Sequence, residues 1–154
     1  MKHNLERLIK QKVPFNSELL KAELGFMYVS SMLNGNQQHF FKAYGITPQQ
    51  YNVLRILRGQ FPNPANINLI KERMIDRMSD ASRIVDRLVK LDYVTKQPNS
   101  IDKRNADVMI TEKALIKLKL IDDKMRENKG LLSNLSIDEL NQLNLLIDRI
   151  LDFI

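Results

Sequence analysis

Cysteine is absent from this 154-residue chain. That removes disulfides, thiolate nucleophiles, thiol redox switches and thiolate metal sites together, and it fits a reducing compartment. Glycine and proline are scarce, 5 of each, and 27% of residues are charged. A collagen-like or disordered chain is thereby excluded and a largely helical one suggested. Long apolar runs are missing too. The opening stretch MKHNLERLIKQKV places charges among its apolar positions, and nothing approaches the roughly 18 apolar residues of a membrane span. The expectation is a soluble, cytoplasmic protein. No glycine-rich phosphate loop is present.

With 44% hydrophobic residues, the chain is long enough to bury one core and short for two. Its net charge is +6, which points to an anionic partner such as nucleic acid or an anionic membrane. The excess is uneven. Thr47 to Thr111 holds eleven Lys/Arg against seven Asp/Glu, net +4, and Met1 to Ile46 holds six against three. From Glu112 onward seven basic residues face eight acidic ones.

Apolar residues between Phe15 and about Phe41 recur as Leu19, Ala22, Phe26, Val29 and Leu33, with a second line at Leu20, Leu24 and Met27. This is helical spacing on a face too wide for one neighbour to cover. Gly45 closes that helix. TPQQ opens the next, with Thr47 as N-cap, Pro48 in the first turn and Gln50 completing a capping box. Tyr51, Leu54, Ile56 and Leu57 form its buried side and Gly59 is read as its stop. PNPAN, Pro62 to Asn66, reads as a turn-rich connection. A short helix over about 67–74, a break, and a longer helix in DASRIVDRLVKL follow. In the longer helix Ala81, Ile84, Val85, Leu88 and Leu91 share one face, and Asp80, Arg83, Arg87 and Lys90 lie opposite. That is a helix-turn-helix pattern. Tyr93 to Gln97 and Ala106 to Ile110 read as paired strands around the loop 98–105, so the outline is a winged helix. Thr111 can cap a helix carrying Ala114, Leu118, Ile121 and Met125 on one stripe. SIDE, Ser136 to Glu139, is a capping box opening a last helix with Leu140, Leu143, Ile147, Ile150 and Ile154 at steps of three and four. The expected fold class is mainly α: a winged helix-turn-helix core with a two-stranded β wing, flanked by N- and C-terminal dimerisation helices. Apolar terminal helices without internal cover make a homodimer the economical arrangement.

Catalytic chemistry has little to work with. His3 sits near the terminus and His39 has no carboxylate at helical spacing, and Asp122, Asp123 and Glu127 share a helix whose charged face solvent explains better than a cation would. No enzyme, cofactor or metal is expected. For DNA the inventory is better. Arg77, Ser79, Asp80, Ser82 and Arg83 stand where a helix following a tight turn enters a major groove. Arg suits guanine edges, Ser suits bases or phosphates, and Asp80 could accept from cytosine or orient an arginine. The same residues also fit an ordinary solvated helix face. In SIDKRNADVMIT, Asp102 and Arg104 have the alternation that puts both on one side of an extended segment. A guanidinium there could enter a minor groove, held by the carboxylate, while Lys103 turns toward phosphate.

ITPQQYNVLRIL, followed by SRIVDRLVKLDYVTKQPNSIDKRNADVMITEKA, resembles the MarR family of bacterial transcriptional regulators. The likeness runs from about Ile46 to Ala114, and its most specific part is RIVDRLVKLDYV followed at the expected distance by DKR and IT. The resemblance implies one MarR-like domain over 1–154. About 15–45 and 112–154 would form the helical dimerisation region, and about 46–111 the winged helix-turn-helix. It implies a dimeric regulator of a pseudo-palindromic operator, usually a repressor, often released by a small organic ligand. The helix from about Ser79 to Leu91 becomes the recognition helix. Ser79, Ser82 and Arg83 match groove-facing positions, Arg87 a position near the backbone, and Asp102 with Arg104 the acid and minor-groove arginine of the wing.

Two departures accompany the likeness. Asp92 stands where the family commonly has glycine between recognition helix and wing, so that turn is expected to be strained or reshaped. The absence of cysteine removes a thiol-oxidation switch, and with few histidines argues against zinc sensing. Rival readings are a winged-helix protein interaction module and a small-molecule binding protein without an operator response.

Overall fold

A computed structural model of the chain describes residues 4–99 and 105–153. The described residues form α1 (Leu5–Leu8), α2 (Glu18–Lys42), α3 (Pro48–Gln60), α4 (Ile67–Arg73), α5 (Ala81–Lys90), β1 (Val94–Pro98), β2 (Ala106–Ile110), α6 (Glu112–Glu127) and α7 (Ile137–Leu151). The chain divides into two compact units, Met1–Asp122 and Asp123–Ile154, with the division inside α6.

In the first unit α3 begins where its capping box predicts. The Gln50 backbone N–H donates to Thr47 Oγ1 at 3.2 Å, and the Thr47 N–H donates to Gln50 Oε1 at 2.8 Å. Two of the donors that a helix start leaves unpaired are satisfied reciprocally. The other end differs from expectation: α3 runs through Gly59 to Gln60, with Phe61 as C-cap. A glycine costs a helix only about 1 kcal/mol, less than burying Leu54 and Leu57 returns. Gly45, at φ +71°, does occupy the left-handed position just beyond α2.

Helices α4 and α5 are both N-capped by side chains. Asn66 Oδ1 accepts from the Leu69 N–H at 2.8 Å and Asp80 Oδ1 from the Arg83 N–H at 3.0 Å. Ala81, Val85 and Leu88 are buried, and Ile84 and Val89 pack partly buried beside them. The strands pair antiparallel from Val94↔Ile110 to Pro98↔Ala106. Ala65, inside the stretch read as a plain turn, adds a one-residue third strand. It exchanges two backbone hydrogen bonds with Val108, at 2.9 and 2.8 Å. Val53, Leu54, Leu57, Ile70, Val85, Leu88, Val108, Leu118 and Ile121 are the large, fully buried side chains. They come from α3, α4, α5, β2 and α6, so one core joins the helix-turn-helix to the wing.

Asp92 adopts φ +57°, so the left-handed turn persists without glycine. It is held from both sides: Thr111 Oγ1 donates to the Asp92 carbonyl at 2.9 Å, and Lys113 Nζ donates to the Leu91 carbonyl at 2.9 Å. On the far side of the core, Asp122 accepts from the Tyr51 hydroxyl at 2.7 Å and from Arg58 at 2.6 Å. Burial pulls the Asp122 carboxyl upward, but the bonds from Tyr51 and Arg58 outweigh it and hold its pKa below the usual value. Burial, reinforced by the Asp122 carboxylate, pushes the Tyr51 phenol up to about 12.

Phe41 is the buried residue of α2, and Leu19 and Met27 are about 70% exposed. The wide apolar face expected of this helix is therefore real and largely uncovered. In the second unit Ser136 and Glu139 form the predicted capping box. Helix α7 has no buried residue, with Leu140, Leu143 and Ile147 half-buried and Leu145, Leu146, Ile150 and Leu151 exposed.

These contacts set how stability should respond to substitution and to pH. Asp92→Gly should raise the free energy of unfolding by about 0.5–1 kcal/mol and Asp92→Val should lower it by about 1–2 kcal/mol, read by urea denaturation. The raised Tyr51 pKa makes its contribution complete below about pH 10, the ordinary tyrosine value, and lost as pH rises toward 12. The stability difference between the wild type and Tyr51→Phe should thus shrink above pH 10. The lowered Asp122 pKa has the opposite sign, so the wild-type advantage over Asp122→Asn should shrink as pH falls below about 4.

Candidate nucleic-acid interface

The burial of Ala81, Val85 and Leu88 fixes how α5 is rotated, and this decides what its other face presents. Arg83 and Arg87 are exposed and Ser82 is half-buried. Among the described residues no carboxylate lies within 4.0 Å of the side chains of Arg77, Arg83 or Arg87. These guanidiniums keep their donors for an external acceptor, and each has five N–H groups in a planar fork suited to phosphate or a guanine edge.

The turn leading into α5 is held by two residues that the sequence reading did not single out. Asn52 Oδ1, from α3, accepts from the Ile75 N–H at 3.0 Å. Asp76 accepts from the Met78 N–H at 3.1 Å and from the Ser79 hydroxyl at 2.7 Å, while its carbonyl accepts from the Ser79 N–H at 3.2 Å. Ser79 is therefore tied into the turn and half-buried rather than projecting freely. The Asp-x-x-Ser spacing of DRMS was the available signal, since Asp side chains commonly bond backbone groups two residues on. Asp80 is engaged as well. Its carboxylate caps α5 instead of meeting the Arg83 guanidinium, and the positive end of the helix stabilises its charge.

Helix and wing are joined at their edges. Asp86 on α5 pairs with Lys96 on β1 at 2.7 Å. At the base of the wing loop the Asn99 N–H donates to the Asn105 carbonyl at 2.9 Å, and the Asn99 carboxamide donates to both oxygens of Asp107 at 2.9 and 3.1 Å. An open cleft of about 670 Å³ separates Ser82 and the start of α4 from the ends of both strands. Asp102, Lys103 and Arg104 lie outside the described residues, as does His3. The structure thus brings Arg77, Ser79, Asp80, Ser82, Arg83 and Arg87 onto one turn and helix, with the wing beside them.

The other polar candidates stand apart from this face. His39 is exposed in the last turn of α2. Asp123 meets Arg126 at 3.6 Å and Glu127 meets Lys124 at 2.7 Å, so both carboxylates face cations of the chain itself. Among the described residues no group of three or more His, Asp or Glu side chains could hold a metal ion, and no helix is long and apolar enough to cross a membrane.

If Asp80 acts on α5 as its cap, Asp80→Ala should cost about 1 kcal/mol of stability in chemical denaturation, and Asp80→Asn, which caps equally well, only a few tenths.

No protein-family model matches the chain. It is similar to the HTH-type transcriptional regulator PapX of Escherichia coli, 24% identical over 156 residues, covering 96% of this chain and 93% of that protein. Among solved structures, it superposes on a MarR transcription factor from Planctomyces limnophilus with a TM-score of 0.69 and 26% identity, over 88% of this chain and 98% of the other. It also matches a cysteine-to-serine variant of MarR from Escherichia coli in complex with operator DNA, with a TM-score of 0.68 and 23% identity, over 88% and 99% of the two chains. The resemblance first carried by the residues between Ile46 and Ala114 extends across the chain, whose fold is that of the MarR transcription factors.

Proposed function

We propose that this protein is a homodimeric, sequence-specific DNA-binding transcriptional regulator of the cytoplasm. Each subunit sets α5 in a major groove and its wing in the flanking minor groove. The observation that carries this reading is the exposed pair Arg83 and Arg87 on a helix whose rotation is fixed by its buried face, with exposed Arg77 on the turn before it, none of the three having a carboxylate partner among the described residues. The operator complex of the similar Escherichia coli protein supports it. Ser82 and Arg83 contact bases, Arg77 and Arg87 contact phosphates or adjacent edges, and Ser79 and Asp80 hold the entry to the helix. Asp102 orients Arg104 in the minor groove and Lys103 meets phosphate.

Dimerisation is supported by the uncovered apolar faces of α2 and, separately, of α7. A two-fold dimer requires a pseudo-palindromic operator with half-sites about one helical turn, ~10 bp, apart. Occupying such a site represses transcription where it overlaps a promoter. Release by a small organic ligand completes the reading. A largely apolar cleft of about 390 Å³ between the end of α2 and the start of α3, lined by Lys42, Ile46 and Pro48 among others, is of the size such ligands use.

Selection of bound sequences from random duplex DNA tests the reading. An inverted repeat should emerge, and affinity for it should fall steeply with salt, in proportion to the phosphates neutralised. Arg83→Ala should lose about 1–3 kcal/mol and relax base preference at one position, whereas Lys103→Ala should weaken all duplexes alike. Arg83→Ala with undiminished affinity and selectivity would remove Arg83 from the readout, and failure to enrich any repeat would favour a protein interaction module.

A further inference from the structure

Two large apolar side chains on the turn before α5 are left almost wholly to solvent. Met78 is 94% exposed and Ile75 is 85% exposed. The turn has an inner side: Met74 and Ala81, at its two ends, are 4% and 3% exposed. Met78 and Ile75 stand on the outer side, and they are presented there by a fixed backbone. The Ile75 N–H is held by Asn52 and the Met78 N–H by Asp76, whose second carboxylate oxygen takes the Ser79 hydroxyl. Arg77 lies between them, and Arg83 lies one turn into the helix that Asp80 caps.

An apolar group fixed among guanidiniums that lack carboxylate partners in the described chain is poorly suited to an apolar protein surface, which would have to desolvate those charges. A major-groove edge offers both chemistries side by side. Guanine N7 and O6 and the phosphates meet the arginines, and the 5-methyl of thymine is the one apolar group the groove exposes. An unbranched thioether adapts to such a contact better than a branched chain does. We propose that Met78 is a specificity-determining residue that packs against a thymine 5-methyl in each half-site, with Ile75 extending the apolar contact; this rests on the DNA-binding reading above.

The test uses the full-length protein and an operator obtained by selection. Each thymine is replaced in turn by deoxyuridine, which lacks only the 5-methyl. Wild-type protein should lose affinity about three- to fivefold at one thymine per half-site, the effect of withdrawing one buried methyl group. Met78→Ala and the length-preserving Met78→Gln should bind the thymine and deoxyuridine operators equally at that position, while keeping wild-type sensitivity to base changes opposite Arg83. Because Met78 is almost fully exposed, the thermal unfolding of both variants should match the wild type. The proposal is overturned if no deoxyuridine weakens the wild type, or if both variants retain the full penalty. A selection that enriches no sequence overturns the DNA-binding reading itself, and this assignment with it.

Discussion

The presentation of the whole basic face depends on the burial of one side of α5. Ala81, Val85 and Leu88 are 3%, 0% and 0% exposed, and each of the two larger side chains is worth roughly 1.5–3 kcal/mol when buried. Turning the helix by one residue, about 100°, would bring Ser82, Asp86 and Val89 toward the core and expose the present set. Burying an unpaired carboxylate would add several kcal/mol to that cost. The helix therefore has one rotation. Everything on its outer side is assigned by default, including the positions of Arg83 and Arg87. The wing inherits this constraint through Val108, which is fully buried in the same core and bonded on both backbone groups to Ala65.

What could be read from the sequence was whatever depends on neighbours two to four residues away. The capping boxes at Thr47 and Ser136 and the strand from Ala106 to Ile110 stand as read, and of the apolar stripe Ala114, Leu118, Ile121 and Met125 the first three are buried while Met125 is exposed. The errors share a cause. Gly59 reads as a stop because glycine is a poor helix former, but Leu54 and Leu57 anchor the helix through it. Ala65 looked like part of a turn because its strand partner, Val108, is 43 positions away and a one-residue bridge has no periodicity. Asp80 is of the residue type that caps helices, yet the charged positions of the following helix made it look like a member of the outer face. Met78 and Ile75 are illegible in the sequence for a related reason: an apolar residue carries no sign of exposure until the turn that carries it is placed.

The left-handed turn at Asp92 shows how a local departure from a family pattern can be absorbed. Glycine would meet the backbone requirement alone. Here the requirement is met by context: Thr111 holds the Asp92 carbonyl, and Lys113 reaches back to the Leu91 carbonyl, lies 3.5 Å from the Asp92 carboxylate and stands over the Tyr93 ring at 5.2 Å. Aspartate is also among the residues that tolerate this region best, because its short polar side chain can bond locally. Helix α5 and strand β1 thus keep their connection geometry at a modest local cost, offset by contacts from Thr111 and the start of α6.

Charge counts alone understate how one-sided this surface is. The segment from Thr47 to Thr111 contains seven acidic residues, but the carboxylates of Asp76 and Asp80 are held against backbone N–H groups at the turn and at the positive end of α5. Asp86, Asp92 and Asp107 are engaged by Lys96, Lys113 and Asn99. Their negative charge is spent on positioning the elements. The three guanidiniums of Arg77, Arg83 and Arg87 have no such internal use among the described residues. On the proposed reading, a duplex approaching this face meets cations whose alternative partner is water, and the release of its condensed counterions then favours association. The same acidic residues that build the turn, the cap and the wing junction are therefore what leave the arginines unspent.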